Sequence, residues 1–155
     1  EQVVGETLKE KQFTIALAES CTGGAIAARL TDIPGSSAYL KGSIVCYSNE
    51  VKTSLVGVPS ATIQEKGAVS SETARAMAEG IRQRLDATIG VGVTGIAGPE
   101  GGTADKPVGL VYIAVAGPKG TVVEEQRFAG QRSGIRTRSV NAALNLVRRY
   151  LKLIN

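Results

Sequence analysis

Two short segments in which nearly every residue is apolar constrain the fold of this chain more than any other feature. They span residues 13–19 (FTIALAE) and 87–94 (ATIGVGVT). Strands buried on both faces have this pattern, and such strands belong to parallel or mixed sheets covered by helices. Helical patterns alternate with the strands, a hairpin is predicted over 108–128, and a last helix over 133–152. We therefore expect one α/β layered domain over residues 1–155, with a mixed β-sheet flanked by helices.

The most restrictive number in the composition is zero histidines in 155 residues. It excludes Ser-His-Asp triads, Cys-His dyads and His-based zinc sites, so a catalytic base would have to be Lys, Asp, Glu or Tyr. We expect neither a bound metal nor a cofactor. The net charge of +4 comes without a basic stripe or aromatic platforms, so we do not expect a nucleic-acid partner.

The cysteine content and the hydropathy bear on the compartment. The chain has only two cysteines, Cys21 and Cys46, no apolar run of membrane-spanning length and no signal-peptide pattern. This combination favours free thiols in a reducing compartment, and we expect a cytoplasmic protein without a membrane partner. Glycine-rich α/β domains of this size often pair, so we also expect a homo-oligomer.

The stretch AESCTGG joins the first buried strand to the next predicted helix, at residues 18–24. It has two interpretations: a Ser/Thr helix cap with two packing glycines, or an anion seat where free backbone N–H groups meet Gly23 and Gly24. It matches neither the P-loop nor the dinucleotide-binding fingerprint. Cys21 could be a nucleophile at a helix N-terminus, but we favour the alternative of a buried structural thiol.

A second stretch, residues 34–52, brings hydroxyl groups and a lysine into one segment. Ser36 and Ser37 follow a Pro-Gly turn, Tyr47 stands at a predicted strand end, and Lys52 follows shortly after. A serine nucleophile without histidine needs another base, and a lysine serves if burial or nearby cations lower its pKa. A Ser-capped turn with a solvated lysine is the alternative that spacing alone favours.

Two further stretches are candidates for ligand contacts. Thr94 precedes a glycine-rich loop at 95–107, which is either a binding loop or a hairpin connection. Arg132 and Arg136 share one face at the start of the last helix. A bound phosphate would offset their unfavourable interaction with the helix dipole, and a solvated basic face is the alternative.

In combination these stretches resemble the C-terminal domain of the competence/damage-inducible protein CinA. The matching motifs are AESCTGG, GSS with YSNEVK, GAVS, TGIAGPEGGT with KPVG, and FAGQR, and the resemblance extends from about residue 3 to 150. The family includes stand-alone nicotinamide-nucleotide amidases. The resemblance thus implies hydrolysis of the carboxamide of nicotinamide mononucleotide (NMN) to nicotinate mononucleotide and ammonia, with this pyridine nucleotide as the small-molecule partner.

The resemblance also implies roles for individual residues. The nucleophile falls on the second serine of GSS, Ser37, the base on Lys52 and an assisting hydroxyl on Tyr47. AESCTGG would then be a wall of the pocket rather than the source of the nucleophile. The residues expected to bind substrate are Glu19, Ser20, Thr22, Gly23, Gly24, Thr94, Gly95, Arg132 and Arg136.

Two other functions are alternatives to the amidase. One is a nucleotide-binding module without turnover, associated with competence or the DNA-damage response, because CinA-like proteins often carry this domain behind another one. The other is a nucleic-acid-binding partner in DNA uptake, against which the absence of a basic stripe argues.

Overall fold

A computed structural model of the chain describes residues 1–154, which form a five-stranded mixed sheet between two layers of helices. The strands are β1 (Ile15–Glu19), β2 (Leu40–Val45), β3 (Ile89–Gly95), β4 (Leu110–Gly117) and β5 (Gly120–Arg127). The helices are α1 (Gln2–Glu10), α2 (Ala25–Thr31), α3 (Asn49–Ser54), α4 (Ser60–Lys66), α5 (Ser71–Arg84) and α6 (Arg132–Lys152), and a turn of 3-10 helix spans Ser36–Ala38. The predicted α/β fold with a mixed sheet is confirmed.

The strand order is β2-β1-β3-β4-β5, with the first buried segment at the centre of a parallel group. β1 pairs in parallel with β2 and β3, whereas β4 and β5 continue the sheet antiparallel from β3. The carboxyl ends of β1, β2 and β3 therefore lie at the same edge of the sheet. Open α/β sheets bind ligands at this edge, so the segments that follow these strands are the place to look for a site.

The two faces of the sheet carry side chains of different size. On one face large residues such as Leu17 and Val91 pack in a core with α1, α2 and α6. On the other face Ala18 and Gly92 lie beneath α5. A Cβ atom on Gly92 would come 2.4 Å from the Ala74 carbonyl oxygen, so α5 rests almost directly on the backbone of β3.

Helix α5 is capped by Ser70, whose hydroxyl accepts a hydrogen bond from Thr73 N at 3.1 Å. Such a cap satisfies one of the free N–H groups of the first turn. The helix start fixes the preceding residues, Ala68 and Val69, beside the carboxyl end of β3. None of the helices within residues 1–154 has both the length and the hydrophobicity to cross a membrane.

Candidate active site

A cavity of about 190 Å³ opens where the three parallel strands end. Ser20 directly follows β1, and its backbone N–H donates to the Val93 carbonyl of β3 at 3.0 Å. Lys52 lies on α3, which follows β2, and Thr94 is the last residue but one of β3. The residues of the cavity wall that the sequence singled out are Ser20, Cys21, Tyr47, Lys52, Thr94, Gly95 and Arg132.

Lys52 is buried in this cavity, with 2% of its surface exposed. Its Nζ lies 3.2 Å from Ser20 Oγ, 2.9 Å from the Cys46 carbonyl oxygen and 3.3 Å from the Tyr47 carbonyl oxygen. Because burial disfavours the charged ammonium, the pKa of Lys52 is lowered from its ordinary value. The solvated lysine that spacing alone favoured is therefore wrong.

The structure does not bring Ser37 and Lys52 together, which corrects the pairing implied by the resemblance. Ser37 is exposed on the 3-10 helix before β2, whereas Lys52 follows the other end of that strand. The six residues of β2 separate the two ends by about 20 Å at the usual rise of a strand. The serine beside the lysine is Ser20, which the sequence analysis placed among the substrate-binding residues.

Glu19 does not face the cavity, in contrast to its predicted role in substrate binding. Its fully buried carboxylate accepts hydrogen bonds from Ile26 N at 3.1 Å and Ala27 N at 3.0 Å, in the first turn of α2. Ser43 Oγ of β2 donates to the same carboxylate at 3.2 Å. Glu19 thus fixes α2 and β2 to the end of β1 and holds the segment that carries Ser20.

Arg136 also has a structural role, because it holds the turn after Ser20 from outside the cavity. Its Nε donates to the Cys21 carbonyl at 3.1 Å and its Nη2 to the Thr22 carbonyl at 2.9 Å. Gly23 and Gly24 complete the turn with φ angles of 61° and 88°, which glycine adopts without strain. The predicted substrate contacts of Arg136, Gly23, Gly24 and the Thr22 side chain are therefore not supported by the wall of this cavity.

Thr22 is fully buried, and its Oγ1 has no hydrogen-bond partner within residues 1–154. This side chain points into the protein rather than into the cavity. Of the two hydroxyl groups in AESCTGG, only that of Ser20 lies at the cavity wall.

Arg132 forms the rim of the cavity together with Tyr47. Its Nη2 donates to Tyr47 Oη at 2.8 Å, and its Nη1 donates to the Gly98 carbonyl of the glycine-rich loop at 2.7 Å. Tyr47 is 59% exposed. The single guanidinium therefore joins the segment after β2, the loop after β3 and the start of α6 at the mouth of the cavity.

Cys21 contributes to the wall but is not activated as a nucleophile. Burial raises the pKa of its thiol to about 11, so the thiol stays protonated at neutral pH. Within residues 1–154 both cysteines are free, and no group of three or more His, Cys, Asp or Glu side chains is placed to hold a metal ion.

Sequence reasoning missed four residues of the cavity wall, namely Asn49, Ala68, Val69 and Ala97. Ala68 and Val69 belong to the GAVS motif and Asn49 to the YSNEVK motif, so the motifs contained the signal. Apolar and amide side chains suggest no chemistry by themselves, and only the folded chain brings them beside Ser20.

The fold and the site together define the class of this protein: an α/β domain with an open mixed sheet and a ligand-sized cavity at the carboxyl ends of its parallel strands. The CinA C-terminal domain family matches residues 1–151, and the chain belongs to this family. A CinA-like protein of Koribacter versatilis is 56% identical over 151 residues, which cover 97% of this chain and 36% of that protein. A CinA-like protein of Geobacter sulfurreducens is 53% identical over 148 residues, with 96% and 36% covered. The chain thus spans little more than a third of the length of these relatives.

Solved structures of related proteins share the fold over nearly their whole length. The competence/damage inducible protein CihA from Agrobacterium tumefaciens superposes with a TM-score of 0.90 at 40% identity, covering 97% of this chain and 96% of that one. The competence damage-inducible protein A from Klebsiella pneumoniae superposes with a TM-score of 0.95 at 30% identity, covering 99% and 96%.

Proposed function

We infer that this chain is an amidohydrolase that cleaves the carboxamide of NMN, with Ser20 as the nucleophile and Lys52 as the base. The observation that carries this proposal is the buried contact of 3.2 Å between Lys52 Nζ and Ser20 Oγ at the cavity wall. The resemblance to nicotinamide-nucleotide amidases supplies the reaction. The contact favours Ser20 over Ser37 as the group that performs it.

The surroundings of Lys52 suit a neutral amine that removes a proton from serine. Two of its three partners, the Cys46 and Tyr47 carbonyls, can only accept hydrogen bonds. A neutral amine has two N–H groups for these carbonyls and one lone pair, which is left to face the Ser20 hydroxyl. A lysine held in this state is a general base for a serine in the absence of histidine.

The acylation step follows from this arrangement. Ser20 Oγ attacks the carboxamide carbon of NMN while its proton moves to Lys52 Nζ. The tetrahedral intermediate then collapses, the C–N bond breaks, and the Lys52 ammonium returns the proton to the leaving nitrogen, which departs as ammonia. The products of this step are an ester of Ser20 and a neutral Lys52.

Deacylation reverses the roles with water in place of the serine. Lys52 takes a proton from a water molecule as the water oxygen attacks the ester carbon. The bond to Ser20 Oγ breaks, and the proton passes from Lys52 to Ser20. Nicotinate mononucleotide leaves, and both residues return to their starting states.

Backbone N–H groups next to the nucleophile are the candidates for stabilising the oxyanion. The N–H groups of Cys21 and Thr22 donate to no acceptor within residues 1–154. Arg136 holds the carbonyl of Cys21, which belongs to the same peptide group as Thr22 N. Such preorganised donors lower the energy of a tetrahedral intermediate without reorganising during the reaction.

The rim supports a phosphate-bearing substrate. Arg132 is the cation at the cavity mouth, and an arginine there can bind a phosphate through two parallel hydrogen bonds. Tyr47 supplies its carbonyl to Lys52 and its hydroxyl to Arg132, so it links the base to the proposed phosphate site.

The proposal is tested by incubating the purified protein with NMN and measuring the release of ammonia. The variants Ser20→Ala and Ser37→Ala are compared, because both remove one serine hydroxyl and only the first lies beside Lys52. We expect Ser20→Ala to lose more than about a thousandfold in kcat, because removal of a serine nucleophile can cost about a millionfold. Ser37→Ala should retain activity close to that of the unchanged protein.

Loss of activity in Ser37→Ala alone would overturn the assignment of Ser20. Binding of NMN by a folded protein that releases no ammonia would instead favour a nucleotide-binding module. Binding of duplex DNA that weakens steeply with salt would favour the nucleic-acid alternative.

A further inference from the structure

The hydroxyl of Thr94 already donates its only proton within the protein before any ligand binds. Thr94 is 1% exposed and lines the cavity together with Ser20 and Lys52. Its Oγ1 donates to the Ala68 carbonyl oxygen at 2.7 Å, just before α5. Because a threonine hydroxyl has a single proton, this bond uses its whole capacity as a donor.

What remains on Thr94 Oγ1 are lone pairs, so the group can act only as an acceptor toward a ligand. To donate into the cavity, the hydroxyl would have to rotate away from the Ala68 carbonyl. That carbonyl would then lose a short bond in a partly buried position, which carries a free-energy penalty. The bond to Ala68 therefore leaves Thr94 Oγ1 as a hydrogen-bond acceptor, and not a donor, toward a ligand in the cavity.

Thr94 is also next to the proposed nucleophile. Ser20 N is bonded to the carbonyl of Val93, the residue immediately before Thr94 on β3. A carboxamide carbon placed at Ser20 Oγ carries one oxygen and one nitrogen substituent. If the oxygen faces the N–H groups of the Ser20 turn, the nitrogen is the substituent that is left for Thr94.

We propose that Thr94 is a specificity-determining residue that accepts a hydrogen bond from the amide nitrogen of the substrate and disfavours the acid product. An amide NH₂ supplies the donor that Thr94 Oγ1 needs. A carboxylate presents only acceptor oxygens, so the product faces an unfavourable acceptor–acceptor contact and is released. This inference rests on the proposed function and adds how the site distinguishes substrate from product.

The test is a binding comparison in the Ser20→Ala background, where NMN cannot be turned over. Dissociation constants of NMN and nicotinate mononucleotide are measured by titration calorimetry with Thr94 unchanged, with Thr94→Ser and with Thr94→Val. The quantity compared is the ratio of the acid constant to the amide constant. Any attraction of the acid to Lys52 is present in all three proteins and cancels in the comparison.

We expect Thr94→Val to lower this ratio about tenfold, the factor that one hydrogen bond of ordinary net strength provides. Thr94→Ser keeps the hydroxyl and should leave the ratio within about twofold of its starting value. Melting temperatures check that each protein is folded, and Thr94→Ala replaces Thr94→Val if the valine variant is not.

A ratio left unchanged by Thr94→Val, or by Thr94→Ala where it replaces the valine variant, would overturn the inference. In that case NMN binding and ammonia release by the unmutated protein would still support the proposed function. If the folded Ser20→Ala protein binds neither nucleotide and the unmutated protein releases no ammonia, the proposed function fails and this inference fails with it.

Discussion

Lys52 determines at the level of single residues what the cavity can do chemically. No carboxylate lies within salt-bridge distance of its Nζ among the residues described, so no ion pair compensates a buried positive charge there. The carbonyls of Cys46 and Tyr47 bind the amine without carrying a full charge. This is the environment in which a lysine releases its proton readily and becomes a base.

The pH dependence of the reaction should report this state of Lys52. We expect kcat/KM for NMN to rise with pH as Lys52 loses its proton, and to level off below the ordinary lysine pKa of about 10.4. Lys52→Met should abolish turnover, and Lys41→Met, on an exposed lysine of β2, serves as the matched control. A rising limb at or above the ordinary lysine pKa would contradict the prediction.

Much of the site was predictable from the sequence, and the nucleophile shows where prediction stopped. Tyr47, Lys52 and Arg132 lie at the cavity as expected. The resemblance to a family assigned the serine by motif, without regard to the end of the strand on which it lies. Ser37 precedes β2 and Lys52 follows it, whereas Ser20 follows β1, so the topology of parallel strands favours Ser20. The buried amine itself could not be read from spacing, because burial depends on contacts between distant segments.

Among the secondary-structure elements, helix α5 and strand β3 position the cavity, because they pack closely against each other. Gly90 and Gly92 bring the backbone of β3 against α5, near the carbonyls of Ala78 and Ala74. The segment just before α5 carries Ala68, whose carbonyl oxygen orients the Thr94 hydroxyl. A displacement of this helix would therefore also move the Thr94 hydroxyl and change its proposed contact with the substrate.

Gly92→Ala should destabilise the fold, because its Cβ would come 2.4 Å from the Ala74 carbonyl oxygen. We expect a loss of about 1–3 kcal/mol in the free energy of unfolding, the usual range for overpacking. Gly134→Ala is the matched control on α6, where a Cβ meets only the flexible end of Arg138 at 3.2 Å. It should be neutral or stabilise by up to about 1 kcal/mol, since alanine favours helix over glycine.

Urea unfolding of both variants measures this difference. Equal stabilities for Gly92→Ala and Gly134→Ala would contradict the close packing of α5 on β3.

The bounds of elements were predicted well where the hydrophobic pattern was strong. The last helix was expected over 133–152 and spans Arg132–Lys152, and the first buried strand was expected over 13–19 and spans Ile15–Glu19. Differences of one or two residues at the ends are usual. The strand order, by contrast, has no local signal, because it depends on which strands pair across long stretches of the chain.

At the scale of the whole molecule, the burial of Lys52 has two effects. It lowers the lysine pKa, as the proposed reaction requires, and it reduces the stability of the folded protein. The folded protein holds Lys52 with a lowered pKa, whereas the unfolded chain gives it an ordinary one. Between these two values the unfolded chain binds more protons than the folded chain. The free energy of unfolding therefore rises with pH across this window, by about 1.4 kcal/mol for each unit that separates the two pKa values.

Replacement of Lys52 by methionine should remove this contribution to the pH dependence of stability. We expect the unfolding free energy of the unmutated protein to rise more steeply with pH toward about 10.4 than that of Lys52→Met. Urea unfolding of both proteins at several pH values measures the difference in slope. The other titrating groups contribute equally to both proteins, so their contribution cancels from this difference. Parallel curves would show that folding does not shift the lysine.

The most direct measurement is mass spectrometry of the protein after a brief reaction with NMN and an acid quench. Trypsin should separate the candidates, because Ser20 falls in the peptide 12–29 and Ser37 in the peptide 30–41. We predict a nicotinate-nucleotide ester on the first peptide, located on Ser20 rather than Cys21 by fragmentation and missing in Ser20→Ala. An adduct on the second peptide, or on Cys21, would contradict the assignment of Ser20 and Lys52 as the reacting pair.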